Sequence, residues 1–214
     1  MGVNRKSSVW LLSSPIAESE GIAMGLKTSV GDIQRNLPLV REEIADTAAK
    51  VDEDQVADLA RHLCRHSRVF VAGAGRSGLV LRMFAMRLMH FGLTVHIAGD
   101  TTTPAISSGD MLLVASGSGT TSGVVKAAET AAKAGARIAA FTTNPDSPLA
   151  RLADAVVIIP AAQKTDHGSA VSRQYAGSLF EQVLFVVTEV VFQSLWDNTD
   201  VAAEELWLRH ANLE

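Results

Sequence analysis

Between Ser29 and Lys50, the positions Val30, Ile33, Leu37, Val40, Ile44 and Thr47 recur three or four residues apart. That spacing predicts an amphipathic helix. Asp52 stands where it caps a second helix, whose stripe is Val56, Leu59, Ala60 and Leu63. Both helices precede the sheet-forming part of the chain and are expected at a subunit interface. Residues 1 to about 28 are rich in Ser and Gly and show no apolar period, so they are read as a poorly ordered N-terminal tail. Residues 29–214 are read as one domain.

After the second helix the pattern changes. Short apolar runs cover Arg68 to Ala72, Leu93 to Ala98, Asp110 to Ala115, Arg137 to Thr142 and Ala155 to Ile159. Helical patterns lie between them, from Gly78 to Phe91, from about Thr121 to Ala134, and from Ser147 to Ala153. This alternation predicts an α/β protein built of βαβ units, with a parallel sheet covered on both faces. The runs are continuously apolar, as strands buried on both faces require. A long helix from Gly177 to about Trp196 and a last one from Val201 to Ala211 complete the reading. Leu179 to Trp196 is the most apolar stretch, but Glu181, Gln182, Thr188, Glu189 and Gln193 interrupt it. It reads as a buried core helix, not a membrane span.

Composition narrows the field. The 214 residues are 47% apolar and 20% charged, which fits one folded domain. Cys64 is the only cysteine, so an internal disulfide and a Cys-rich zinc site are excluded. A net charge of −4 gives no basic surplus for nucleic acid, and seven Phe, three Trp and one Tyr are few for stacking bases. Arg5 and Lys6 precede only four apolar residues, Val9 to Leu12, too short for a signal-peptide core. A cytoplasmic protein is expected.

Ligands of open α/β sheets bind at the carboxyl ends of the strands. Three segments fall there. Gly73-Ala-Gly75-Arg76-Ser77-Gly78 follows a strand, opens a helix and matches G-x-G-x-x-G. Its glycines serve either a tight turn or an anion held on free helix N–H groups. Ser116-Gly117-Ser118-Gly119-Thr120-Thr121-Ser122 offers hydroxyls and glycines without the lysine of a nucleotide P-loop, which suits a phosphate monoester. Glu181, in Gly177-Ser-Leu-Phe-Glu-Gln182, stands in the first turn of the long helix. It reads either as a capping carboxylate or as a base in a dry pocket.

The histidines are sorted by position. His90 ends the helix that follows the first loop, where the helix dipole is expected to favour its protonated form. His62 and His66 are four apart without an evident third metal ligand and read as surface or interface residues. His167 is a weaker candidate in a polar loop. His96 is read as strand packing and His210 as a tail residue.

Six segments now occur in a telling order: Gly73-Ala-Gly-Arg-Ser-Gly78, Phe84-Ala-Met-Arg-Leu-Met-His90-Phe-Gly, Thr101-Thr-Thr-Pro104, Ser116-Gly-Ser-Gly119, Thr143-Asn-Pro-Asp146 and Gly177-Ser-Leu-Phe-Glu-Gln182. Together they resemble the 6-phospho-3-hexuloisomerases of the sugar isomerase (SIS) domain family, from about Gly31 to the C-terminus. The chain has Gln174-Tyr175-Ala176 where archaeal-type members carry Gln-Pro-Met.

The resemblance implies a three-layer, flavodoxin-like SIS fold with a five-stranded parallel sheet and helices on both faces. It implies an isomerase, an intramolecular oxidoreductase, that interconverts D-arabino-hex-3-ulose 6-phosphate and D-fructose 6-phosphate by enediol proton transfer. That is the second step of formaldehyde fixation in the ribulose monophosphate pathway. It further implies a homotetramer with sites at subunit boundaries, no cofactor, no metal, and functional coupling to 3-hexulose-6-phosphate synthase. Carried over by position, the substrate-binding residues are Gly75, Arg76, Ser77, Ser116, Gly117, Ser118, Gly119 and Thr121, with Ser77, Ser116, Ser118 and Thr121 on the phosphate. Glu181 becomes the base. His90 moves protons among the oxygens or opens the furanose, in its own site or a neighbour's. Arg76 stabilises the enediolate or a sugar oxygen.

Two other functions fit parts of the pattern. A nicotinamide-dependent oxidoreductase would use Asp100, 25 residues after Gly75, on a ribose. The hydroxyl-rich second loop argues against it. A sugar-phosphate sensor would need a DNA-binding part, for which the N-terminal segment lacks the basic surplus.

Overall fold

A computed structural model of the protein describes residues 28–164, 172–175 and 177–213. The proposed tail lies outside the described residues except for Thr28, and His167 lies outside them too. The chain runs α1 (Val30–Ala48), α2 (Glu53–Cys64), β1 (Arg68–Gly73), α3 (Gly75–Phe91), β2 (Thr94–Ile97), β3 (Met111–Ala115), α4 (Ser122–Lys133), β4 (Arg137–Thr142), α5 (Pro148–Leu152), β5 (Ala155–Ile158), α6 (Ser178–Asp197) and α7 (Ala203–Trp207).

The strands form one sheet in the order β2-β1-β3-β4-β5, every pair parallel. Alternate strand residues supply two cores. Val69, Val71 and Leu113 face Leu63 of α2, Leu81, Phe84 and Leu88 of α3, and Val183, Leu184 and Val187 of α6. Phe70, Leu112 and Val114 face Val124, Ala128 and Ala131 of α4 and Leu149 of α5. Helices therefore cover both faces, and the three-layer expectation holds. α6 is long and apolar enough to cross a bilayer by length and composition. Here it fills the larger core, with Phe180, Val183, Leu184, Val187 and Val191 buried.

The amino edge of the sheet is tied by an ion pair between buried Asp110 and half-buried Arg68. Asp110, just before β3, accepts from Arg68 Nε and Nη2, each at 2.6 Å, and from Ser107 N at 2.7 Å. The carboxyl edge, on the opposite side, holds the two glycine loops and the start of α6.

Three expectations change. α3 begins at Gly75, three residues early, because Gly75 takes a positive φ of 57° and starts the helix almost directly from β1. The last helix is shorter than Val201 to Ala211. After Trp207 the backbone tightens into bonds spanning three residues, Arg209 N to Leu206 O and His210 N to Trp207 O. The stripe of α1 is covered only in its second half: Ile44 packs on the core and Thr47 is buried, while Val30, Ile33 and Leu37 are exposed.

Candidate active site

The β1–α3 turn is dictated by its outer glycines. A Cβ on Gly78 would lie 2.5 Å from the carbonyl oxygen of Gly73, and one on Gly73 would lie 2.8 Å from Gly78 Cα. The strand and helix touch there, so both positions demand glycine. This accounts for the first and last glycines of the motif without a dinucleotide. Asp100, the ribose candidate, is instead ion-paired to Arg82 of α3 at 2.8 Å. The turn leaves Arg76 exposed and Ser77 buried.

β3 lies beside β1, with Ala115 opposite Gly73, so the second loop leaves the sheet next to the first. Its shape comes from behind. Gly117 O accepts from Thr143 N at 2.9 Å, Thr143 Oγ1 at 2.8 Å and Thr142 Oγ1 at 3.1 Å. Gly119 has φ of 65° and packs on Ser147, where a Cβ would lie 2.1 Å from the hydroxyl. Sequence reasoning found Thr143 but gave it no role, and it missed Thr142 and Ser147. Only the strand register brings β4 and its end behind this loop.

The hydroxyls of this loop bond to one another. Ser116 Oγ and Thr121 Oγ1 are 2.9 Å apart. Ser118 Oγ accepts from Thr120 Oγ1 at 2.9 Å, which leaves its own O–H proton free to donate. Thr121 is the N-cap residue of α4 yet makes no side-chain cap bond. Val124 N bonds back to Thr121 O at 3.0 Å, which leaves the N–H groups of Ser122 and Gly123 with no helical or side-chain acceptor among the described residues.

Glu181 joins the two loops. It is 6% exposed, in the first turn of α6, and it accepts a hydrogen bond from Arg76 Nε. The preceding residue, Phe180, packs its ring 3.5 Å from the position of a Cβ on Gly117. The first turn of α6 therefore contacts both strand-end loops. Of the two readings for Glu181, capping fails: the N-cap is Gly177, and its helix start carries no side-chain cap bond. The carboxylate faces the Arg76 cation instead.

His90 is not brought to this place in its own chain. It lies at the far end of α3, about 20 Å from Arg76 at 1.5 Å per residue. It is buried, its ring is stacked on His210 with centroids 3.9 Å apart, and its carbonyl accepts from Arg209. The expected protonated form is also corrected. Burial pushes its pKa below the usual histidine value, helped by the nearby charges of His210 and Arg87, and these outweigh the helix terminus. His210 is thus a packing partner, not a tail residue.

His96 tilts against Phe70 in strand packing, with centroids 5.0 Å apart. His66 Nδ1 lies 2.7 Å from the carbonyl of His62. Among the described residues no cluster of His, Cys, Asp or Glu is arranged to hold a metal ion.

The fold and the site define a class: a parallel α/β sheet whose carboxyl edge pairs a hydroxyl-lined loop with a buried carboxylate. The SIS domain family matches residues 62–186, more than half the chain. A 3-hexulose-6-phosphate isomerase of Mycobacterium gastri is 80% identical over 198 residues, covering 92% of this chain and 98% of that one. A 3-hexulose-6-phosphate isomerase of Bacillus subtilis is 37% identical, covering 82% of this chain and 95% of that one. A crystal structure from Methanococcus jannaschii, for which the molecular function of a 3-hexulose-6-phosphate isomerase was inferred, superposes with a TM-score of 0.72. It is 27% identical and covers 84% of this chain and 99% of that one. The chain belongs to the SIS domain family and, within it, to the 3-hexulose-6-phosphate isomerases.

Proposed function

We propose that this protein interconverts D-arabino-hex-3-ulose 6-phosphate and D-fructose 6-phosphate, as the second step of formaldehyde fixation in the ribulose monophosphate pathway. The observation that carries the reading is Glu181, buried and bonded to Arg76, on a helix whose start packs on the hydroxyl loop through Phe180. Moving a carbonyl between C3 and C2 needs one proton taken from C2 and returned at C3 through a cis-enediol. A single carboxylate suffices for that transfer. The 3-ketose has its 6-oxygen phosphorylated, so no five-membered ring closes on it and it reacts open-chain.

Ser77, Ser116, Ser118 and Thr121, with the backbone N–H groups of Gly75 and Gly117, hold the phosphate, and Gly119, whose N–H donates to Ser116 O, shapes the loop around it. Glu181 works at C2 and C3. Arg76, already bonded to Glu181, is within reach of the oxygens that gain charge as the enediolate forms. His90 has a place in this chemistry only at a site completed by a neighbouring copy. Mixing Glu181→Gln and His90→Gln variants tests that, since shared sites recover activity in mixed assemblies and private sites do not.

The reading includes a homotetramer, a cytoplasmic location, coupling to 3-hexulose-6-phosphate synthase and no cofactor. Exposed apolar side chains on α1 and α3, Val30, Ile33, Leu37, Leu79, Met83 and Met86, support assembly. Light scattering on the eluted protein checks the number of copies. The function itself is tested by supplying enzymatically generated hexulose 6-phosphate and measuring fructose 6-phosphate. Its appearance at an enzyme-dependent rate is expected, and its absence overturns the reading.

A further inference from the structure

Glu43 stands on α1, outside the residues that match the SIS domain, and accepts three hydrogen bonds from the segment just before α6. The donors are Ser172 Oγ at 2.7 Å, Arg173 N at 2.8 Å and Gln174 Nε2 at 3.1 Å. Burial pushes the Glu43 carboxyl up, but the donors outweigh it and hold it below the usual carboxylate range. It is therefore ionised near neutral pH and can only accept.

That charge sets the direction of the neighbouring bonds. Gln174 must turn its amide NH2 group to Glu43, which leaves Gln174 Oε1 facing Gln182. Gln182 must then donate, and its Nε2 does so at 2.8 Å. Flipping Gln182 would set two carbonyl oxygens against each other. Its Oε1 is left at the end of the chain of bonds, buried and without a partner among the described residues. A buried acceptor with no donor is costly and calls for an explanation. The next residue toward the N-terminus is Glu181.

We propose that Glu43 is a positioning residue of the active site, which through Gln174 holds Gln182 Oε1 as a buried acceptor for a sugar hydroxyl beside Glu181. The inference rests on the isomerase reading and extends it to the sugar end of the substrate. A hydroxyl brings the proton this oxygen needs, whereas a phosphate dianion has none to give. The acceptor thus recognises the sugar chain and not the phosphate.

The test uses steady-state kinetics on hexulose 6-phosphate, with inorganic phosphate as competing inhibitor and melting temperatures alongside. In Glu43→Gln the new amide donates to Gln174, both downstream amides turn over, and Gln182 presents a donor where it presented an acceptor. In Gln182→Leu the acceptor is gone, and the removal of its unpaired oxygen offsets the donor that Gln174 Oε1 loses, so the fold is retained even where Glu43→Gln melts early. Each variant is expected to raise KM at least about fivefold, the scale of one neutral hydrogen bond. The inhibition constant of inorganic phosphate is expected to stay within about twofold, because the hydroxyl loop is untouched. Both substitutions remove the same acceptor, so the double variant is expected to be no worse than the poorer single one. An unchanged KM in Gln182→Leu, multiplying effects in the double variant, or a parallel loss of phosphate affinity would overturn the proposal. Absence of turnover in the unsubstituted protein overturns the isomerase reading and this inference with it. Turnover with unchanged KM in both variants overturns this inference alone.

Discussion

A carboxylate withdrawn from water keeps its charge only where donors or cations replace the water. Two buried acids are partnered differently. Asp110 is held at the amino edge of the sheet by both arms of Arg68 and by Ser107, which bring its pKa from 3.8 down to about 2. The unfolded chain binds that proton first, so the stabilisation is full above about pH 4 and is lost as pH falls toward 2. It amounts to about 2 kcal/mol at neutral pH. Asp110→Asn is expected to lower stability by about that amount at pH 7, with the gap closing at pH 2, measured by urea unfolding. Glu181 meets a single, exposed guanidinium. A structural pair gains nothing from a partner so open to water, whereas a base needs one that can yield to substrate. Glu181→Gln keeps the shape and removes the proton acceptor. Turnover is expected to fall at least about 10²-fold with little change in fructose 6-phosphate binding. Near-normal turnover would exclude the residue from the chemistry.

Helix beginnings differ between the candidate site and most of the rest of the molecule. α1, α2 and α5 start with side-chain caps from Ser29, Asp52 and Ser147. α3, α4 and α6, the helices that start at the site, have none, and neither does the short α7 away from it. Ser178 N of α6 bonds to Tyr175 O and Val124 N of α4 to Thr121 O, so the open N–H groups are those of the first residues of α3 and α4. The start of α3 is also closely packed. Alanine is favoured over glycine in a helix by about 1 kcal/mol. At Gly78, however, the new methyl would meet the backbone of Gly73, which cannot rotate away. Gly78→Ala is therefore expected to be destabilising by about 1–3 kcal/mol, seen as a lower urea midpoint. A gain in stability would show that the β1–α3 contact is loose. At the other end of α3, His90 carries a pKa lowered from 6.5. Below that value the unfolded chain takes up a proton that the folded chain refuses, so stability falls as pH drops under about 6.5. The loss is at most about 1.4 kcal/mol per pH unit for one proton. His90→Phe is expected to flatten the melting profile between pH 7 and 5 relative to the parent, and an unchanged slope would rule this out.

At the scale of the whole molecule, what was legible in the sequence is what is encoded locally. Each strand is a continuous apolar run and each site loop is one contiguous segment, so sheet class, loop positions and Glu181 were readable from the chain alone. The hydroxyls behind Gly117, the bond chain from Glu43 to Gln182, and the His90–His210 stack join residues more than 20 apart through strand order and helix packing. No periodicity reports such contacts. The dipole argument for His90 failed for the same reason, because local position gives the helix terminus but not the burial. What the assembled fold adds is convergence: β1 and β3 are neighbours, and α6 starts against both of their loops. A phosphomonoester that bridges these loops binds only the folded chain and must raise its melting temperature. At a hundred times its dissociation constant, fructose 6-phosphate is expected to add about 2.7 kcal/mol. For a chain of this length that is a shift of about 5–10 °C. Ser118→Ala removes one donor from the loop and is expected to reduce the shift at the same ligand concentration, and to raise KM for both sugars. NAD, which needs an acid free at the end of β2, meets Asp100 already bound to Arg82 and is expected to give no shift. An NAD shift as large as that of fructose 6-phosphate, or no shift with the sugar, would mean that the two loops do not share one anion.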